Sequence, residues 1–228
     1  MAITLGAVTF DFAHTVVRET HDEVGGRRER AIEITGLIAG ESSEAAIHAA
    51  LDAILDAASA IEYSAALSVR PGRRMMVRRA EFVRQVSAES HTGTFTLKLA
   101  AREPHEESVV LHSVPWLIDA SGDSIALTHA GNTPAPVIIR LTALDTIIAP
   151  EFSAGSNSMH YGGTLSNGDV LEFDGIERLV RLNGADVTPY VSGQFPDISP
   201  EGITLLYTDA PASAHAASVV LEYRDRWW

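Results

Sequence analysis

The 228-residue sequence contains no cysteine, which excludes disulfide staples and thiol chemistry and leaves the redox compartment open. No apolar run approaches the ~18 residues that cross a bilayer as a helix. Residues 1–12 have no basic stretch leading into a long apolar segment, so no secretory leader is expected. Positive charge is scarce: 17 Lys and Arg stand against 30 Asp and Glu, a formal net charge of −13. That balance argues against general nucleic-acid binding, which needs basic surface to displace counterions from phosphate. The deficit is uneven. Residues 1–107 hold 12 basic and 16 acidic side chains (net −4), and residues 108–228 hold 5 and 14 (net −9). A two-domain chain of about 100 residues per domain accommodates both the length and this asymmetry. The sequence has no internal repeat and no low-complexity segment.

What the sequence does have is one stretch of clear helical period, residues 41–60. Ile47, Leu51, Ile54, Leu55, Ala58 and Ile61 fall on one stripe, with Glu44, His48, Asp52 and Asp56 on the opposite side. Ser42 or Ser43 caps the start, and Glu41 and Glu44 suit the positive end of the dipole, so a helix is predicted over 42–60. Its apolar stripe requires a sheet to cover it.

Everything else reads as strands and turns. The first half predicts strands over 2–12 (open to continuation over 15–18), 27–38, 63–69, 75–86 and 94–101, with a turn-rich break at 22–26 holding a tight turn at Gly25-Gly26, another turn at Pro71-Gly72, and a hairpin tip at 89–93. In the last strand Phe95, Leu97 and Leu99 alternate with Thr94, Thr96 and Lys98. A polar stretch at 103–107 marks the boundary, giving domains 1–107 and 108–228. The second half predicts short strands at 109–111, 116–118, 124–128, 136–144, 146–148, 158–161, 170–174, 178–182, 203–208 and 218–223, with turns at Asn167-Gly168 and Asn183-Gly184. The expected fold is mostly β with one principal α-helix: a helix-on-sheet first domain and a β-sandwich or jelly-roll second domain.

The candidate chemistry is sparse. Gly122-Asp123-Ser124-Ile125 has the pattern of a GDSL-type nucleophile block, but Asp209 and His215 are six apart where that chemistry places Asp-x-x-His, and the helix-rich fold of such hydrolases is missing. Residues 119–123 begin like a calcium loop, yet its twelfth position is Ala130 where a bidentate Glu belongs, so a β-turn is the simpler assignment. His14 with His21, and His105 with His112, are each seven apart and match no compact metal-ligand spacing. No catalytic centre, metal site or cofactor is expected.

Two clusters invite an interaction role. Arg70, Arg73, Arg74, Arg78, Arg79 and Arg84 lie within fifteen residues, with only Glu81 opposing. They are either a solvated strand face or a subunit interface in which guanidinium groups pair with a neighbour's carboxylates. The C-terminal run carries Arg224, Arg226, Trp227 and Trp228, candidate anchors into the second domain or a partner.

Several motifs of the second half occur in an order that resembles the siphophage-type distal tail protein family. Gly131-Asn132-Thr133-Pro134-Ala135-Pro136-Val137-Ile138-Ile139 is similar to that family's turn, proline and strand entry. Asn167-Gly168-Asp169-Val170-Leu171-Glu172-Phe173-Asp174 resembles its Gly-Asp-x-Leu-x-Ile-Asp strand, and Val180-Arg181-Leu182-Asn183-Gly184 the hairpin after it. Phe195-Pro196-Asp197-Ile198-Ser199-Pro200-Glu201-Gly202 is similar to its Phe-x-x-Leu-x-Pro-Gly turn, with Glu201 inserted. Residues 219–228 resemble its closing strand. In the first half, the strand from Gly26-Arg27, the helix and the strands up to Ala101 are similar to the family's ring-forming domain.

The resemblance implies a structural protein of a phage or prophage tail and no enzyme. It implies a homo-hexameric ring at the distal end of the tail tube, made by the N-terminal domain and meeting the tail tube protein on one face and the tail-tip hub protein on the other. A galectin-like C-terminal domain projects outward. The implied location is the virion tail, and the host cytoplasm during assembly. Membrane and specific nucleic acid are not expected partners, although an acidic lumen would let DNA pass without adhering. The alternative is a carbohydrate-binding β-sandwich for host attachment. Galectin-type sites use a His-x-Asn-x-Arg strand and a stacking Trp, whereas His160 here is followed by Tyr161-Gly162 and Trp116 lies in an apolar context.

Overall fold

The computed structural model describes residues 3–11, 13–24 and 27–228. The predicted turn at Gly25-Gly26 lies outside them, as do Ala2 and Phe12 of the first predicted strand. Two compact units emerge: residues 1–109 together with Trp228, and residues 110–227. The chain is mostly β, with a single α-helix among the described residues.

The first unit is built from β1 (Ile3–Leu5), β2 (Val8–Phe10), β3 (Thr15–Val24), β4 (Arg27–Ile38), α1 (Glu44–Asp56), β5 (Ala65–Ser68), β6 (Arg73–Ser87), β7 (Thr92–Ala101) and β8 (Glu106–Ser108). The strands form one antiparallel sheet in the order β2-β1-β5-β6-β7-β4-β3, with β8 adding to the Arg73-Arg74 end of β6. The single strand expected over 2–12 is instead a hairpin. Gly6 takes φ 56°, a left-handed conformation that glycine adopts without strain, and the chain reverses there.

Helix α1 is shorter than the predicted 42–60. Ser43 is the cap, its Oγ accepting from the Ala46 N–H at 3.2 Å. The helix ends at Asp56 with Ala57 as its cap, and just beyond it Ser59 Oγ accepts from the N–H groups of Ile61 and Glu62, each at 3.1 Å. Ile61 therefore leaves the apolar stripe and is 86% exposed. Ile47, Leu51, Ile54 and Ala58 are buried against the sheet, where they meet Ile32, Ile34, Phe95, Leu97 and Leu99 in one core. Gly93 of β7 sits directly beneath the helix: a Cβ there would lie 2.6 Å from Ile47 Cγ2 and 3.3 Å from Leu51 Cδ1.

Strand β6 changes phase midway. Arg79 lies opposite Leu99 and Glu81 opposite Lys98, so Ala80 is an extra residue in the ladder. Met75, Val77 and Arg79 use one parity to face the core side. After the bulge Phe82, Arg84 and Val86 use the other, opposite Leu97, Phe95 and Gly93.

The second unit continues with β9 (His112–Ile118), β10 (Ser124–Leu127), β11 (Ala135–Ala143), β12 (Ile147–Ile148), β13 (Glu151–Ala154), β14 (Asn157–Tyr161), β15 (Thr164–Leu165), β16 (Val170–Asp174), β17 (Leu179–Leu182) and β18 (Ala185–Asp186). A 3-10 turn at Thr188–Tyr190 leads to β19 (Val191–Gly193), β20 (Asp197–Ile198), β21 (Ile203–Thr208), β22 (Ala217–Tyr223) and β23 (Arg226–Trp227). One sheet runs β18-β17-β16-β11-β22-β9, with β20 joined to the start of β11; the other runs β10-β21-β13-β14-β19. Their inner faces share one apolar core. Phe152 of β13 is its centre. Its ring lies 5.7 Å from Phe173 and 6.2 Å from Trp116 of the opposite sheet, and 5.5 Å from Tyr207 of its own. Asn183 and Gly184, with φ 51° and 83°, make the turn that joins β17 to β18.

Residues 109–111, predicted as a strand on apolar content, are not one. The Val109 N–H reaches the Gly72 carbonyl at 3.0 Å, and all three side chains are exposed. Strand β13 escaped prediction because four residues between Pro150 and Gly155 are too few to show a period.

Phe152→Ala is expected to destabilise the chain by about 3–5 kcal/mol through loss of the inter-sheet aromatic contact and the cavity left behind. Gly93→Ala is expected to cost about 1–3 kcal/mol by pushing α1 off the sheet. Urea unfolding followed by near-ultraviolet circular dichroism checks both.

Candidate functional site

The arginine run begins in the turn before β6 and continues along it. Alternation and the bulge at Ala80 send its members to different partners. Arg74 pairs with Glu107, Nη2 to Oε1 at 2.8 Å, with Nε donating to the same oxygen at 2.9 Å. Arg78 donates to the Ala60 carbonyl at 3.4 Å and lies 5.3 Å over the Tyr63 ring. Arg79 donates to the Leu55 carbonyl, satisfying a backbone acceptor at the end of α1. Arg84 pairs with Asp52 on the outer side of that helix. The carboxylates that meet this run are carboxylates of the same chain.

Arg70 and Arg73 join a buried cluster that nothing local in the sequence announced. Glu106 of β8 is 1% exposed and Arg30 of β4 is 3% exposed. Arg30 Nη2 lies 2.6 Å from Glu19 Oε2 on β3 and 3.3 Å from Glu106 Oε1, and Nη1 donates to the Pro104 carbonyl at 3.4 Å. Arg70 pairs with Glu106 and lies 3.6 Å from Glu19, while Arg73 lies 3.5 Å from the second oxygen of Glu106. Burial opposes the charge on Arg70, but the hydrogen bond to Glu106 and the charges of Glu106 and Glu19 outweigh it and raise the guanidinium above its ordinary value. Residue 106 falls in the stretch expected to be a polar linker. Its partners lie 33 to 76 residues away along the chain, so no spacing rule could expose the cluster.

The C-terminal anchor residues are tied down by backbone and side-chain bonds. Asp225 Oδ1 accepts from the Ala130 N–H at 3.0 Å and lies 3.0 Å from His112 Nε2. The Arg226 carbonyl accepts from the N–H groups of Asn132 and Thr133 at 3.0 and 3.4 Å. Gly131 packs so closely on the Arg226 backbone that a Cβ would overlap its carbonyl oxygen. Burial pushes the Arg226 guanidinium below its ordinary value. Arg224 precedes this segment and Trp227 ends β23. The Trp228 ring lies 4.3 Å from the His105 ring.

The remaining candidates are placed as follows. Asp123 Oδ2 accepts from the N–H groups of Asp119 and Ala120 at 2.9 and 3.1 Å, closing a turn on itself. Ser124 lies on β10, opposite Leu206. The fold does bring Asp209 and His215 together, Oδ1 to Nδ1 at 2.6 Å, with the Tyr207 hydroxyl on Asp209 Oδ2 at 2.8 Å. Burial, then the bond to and charge of Asp209, push the Tyr207 phenol up. The Asp209 carboxylate is fully enclosed and ties the 209–215 loop to β21. His14 lies 3.3 Å from Asp11, His21 4.0 Å from Glu19, and His105 3.9 Å from Glu103. No group of three or more metal-binding side chains occurs among the described residues.

Comparison with known proteins places this geometry. Residues 130–227 match the family model described as the siphovirus-type tail component, C-terminal domain. No curated protein sequence matches. Among solved structures the chain is similar to the Dit protein of phage SPP1, whose crystal structure is titled a paradigm of hub adsorption apparatus in phages infecting Gram-positive hosts. Identity is 10%, the TM-score is 0.69, and the match covers 100% of this chain and 99% of that one. The family model falls on the unit whose β11, β16, β17 and closing strand carry the ordered motifs, and the fold likeness runs from end to end. The two comparisons together support a structural role in a phage tail: residues 130–227 match the C-terminal domain of the siphovirus-type tail component, and the whole chain shares the fold of the Dit protein.

Proposed function

We propose that six copies close into a ring at the distal end of the tail tube, the first unit making the ring and the ring joining tube to tail-tip hub. The observation that supports this reading is the end-to-end fold likeness to a protein described as hub adsorption apparatus, which spans 100% of this chain and 99% of that one.

The edges of the sheets support it. In the first unit β3 is a sheet edge of ten residues whose register with β4 runs unbroken from Thr15↔Gly36 to Val24↔Arg27. Other edges are blunted. Strands β2, β10, β18 and β19 are two to four residues long, and β9 carries Pro115 in its middle. A long, regular edge without proline or bulge is a template for pairing with another chain. The row Val16, Thr35, Thr96 and Val83 crosses the sheet face away from α1, and Val16 is 56% and Val83 48% exposed. A second copy of the first unit is the partner we assign to this edge and face. The net charge of −13 suits a ring through which DNA passes without adhering.

Negative-stain imaging and mass photometry of the purified chain, alone and mixed with tube or hub protein, are expected to show six-fold rings. A species that stays monomeric in every mixture overturns the reading. Val16→Lys, a surface change within about 0.5 kcal/mol of neutral for the fold, is expected to leave the melting temperature unchanged and shift rings to monomers. Undiminished rings would remove β3 from the interface.

A further inference from the structure

The buried ion cluster of the first unit has no evident place in the core. Its charged groups come from five segments: Glu19 on β3, Arg30 on β4, Arg70 in the turn before β6, Arg73 at the start of β6, and Glu106 on β8. Taking a carboxylate and a guanidinium out of water costs more than their attraction commonly returns, and apolar side chains of similar volume stabilise such a site as well or better. The Arg30 Nε is also buried without a hydrogen-bond partner. What charged hydrogen bonds supply that apolar contact does not is direction: they fix distance and angle, where methyl groups slide.

The position of the cluster shows which direction it fixes. The last pair between β4 and its inner neighbour β7 is Ala31↔Ala100, yet β3 and β4 stay paired to Val24↔Arg27. Beyond Ala31 the two strands form a ribbon to which no third strand is paired among the described residues. Arg30 is the first residue past that point. Its guanidinium is held at once by Glu19 of β3, which lies opposite Ile32 where the sheet is still continuous, and by Glu106 of β8 and the Pro104 carbonyl just before it. Arg70 braces both carboxylates.

We infer that Arg30 and Glu106, with Glu19 and Arg70, are positioning residues that set the angle at which the β3–β4 ribbon leaves the sheet, so that it meets a neighbouring copy of this chain. This rests on the ring reading for its partner, but not for its geometry. The cluster contributes orientation and little net stability.

The test is the charge-neutral double variant Arg30→Met with Glu106→Leu, which leaves Glu19 beside Arg70. Thermal unfolding is expected to match or exceed the unaltered chain. Backbone amides of 18–21 and 29–32 are expected to exchange with deuterium about tenfold faster, while those of β7 and α1 stay as they were. The fraction of chains in rings is expected to fall about tenfold at equal concentration. Unchanged exchange in the ribbon, a melting temperature that drops with the whole unit, or rings formed at the original level would each overturn the inference. If the double variant fails to fold, Glu106→Gln is read by the exchange and ring measurements alone, because leaving Arg30 buried beside a neutral partner lowers the melting temperature whatever the cluster's role. Absence of rings from the unaltered chain counts against the ring reading alone, since the exchange measurement is made on the single chain.

Discussion

Backbone N–H and C=O groups at the edge of a sheet have to find partners, and the rest of this structure follows from where they are found. In the second unit the demand is kept small. Its edge strands are short or carry a proline, and its two sheets enclose Phe152 and its aromatic neighbours. In the first unit β3 stays long, regular and open on one side. An unblunted edge of this length is the kind of template that another chain can extend, which suits the assembly role proposed for the protein.

Charge is divided in the same way. The arginine run looked like a basic patch on an acidic protein, but a strand alternates its faces and β6 shifts phase at Ala80. Its guanidinium groups therefore separate to Glu107, to Tyr63, to the end of α1 and to the Glu106 cluster. These contacts brace local structure, and most are exposed enough that each contributes little to stability. The cluster at Arg30 is different because water is excluded from Arg30 and Glu106 at its centre, and there the charges act as geometric constraints.

How much of this was legible from sequence depends on the range of each signal. The helix and β7 were, because their periods repeat within ten residues and match burial: Ile47, Leu51 and Ile54 on one, Phe95, Leu97 and Leu99 on the other. The Asn183-Gly184 turn was, because few residues adopt positive φ twice in succession. The hairpin at Gly6 was not, since a single glycine in an apolar run also fits a strand. Strands β13, β15 and β18 are two to four residues long, below the length at which alternation can be seen. Residues 109–111 misled because apolar content favours a strand only where a neighbour pairs with it. Glu106 was hidden for the opposite reason: its surroundings in the chain are polar and proline-bearing, and only the closed sheet brings Arg30 and Arg70 onto it.

The extra residue in β6 has a consequence for how the gene tolerates change. Loss of the Ala80 codon would restore a strict two-residue rhythm on either side, keeping Met75, Val77, Phe82 and Val86 on the faces they already hold and removing only the local bend. Loss of the neighbouring Val83 codon would exchange the two faces of everything up to Ser87, placing Gln85 under the helix and Val86 in water. Within a single strand, one position absorbs a frame-preserving deletion and another, three residues on, does not.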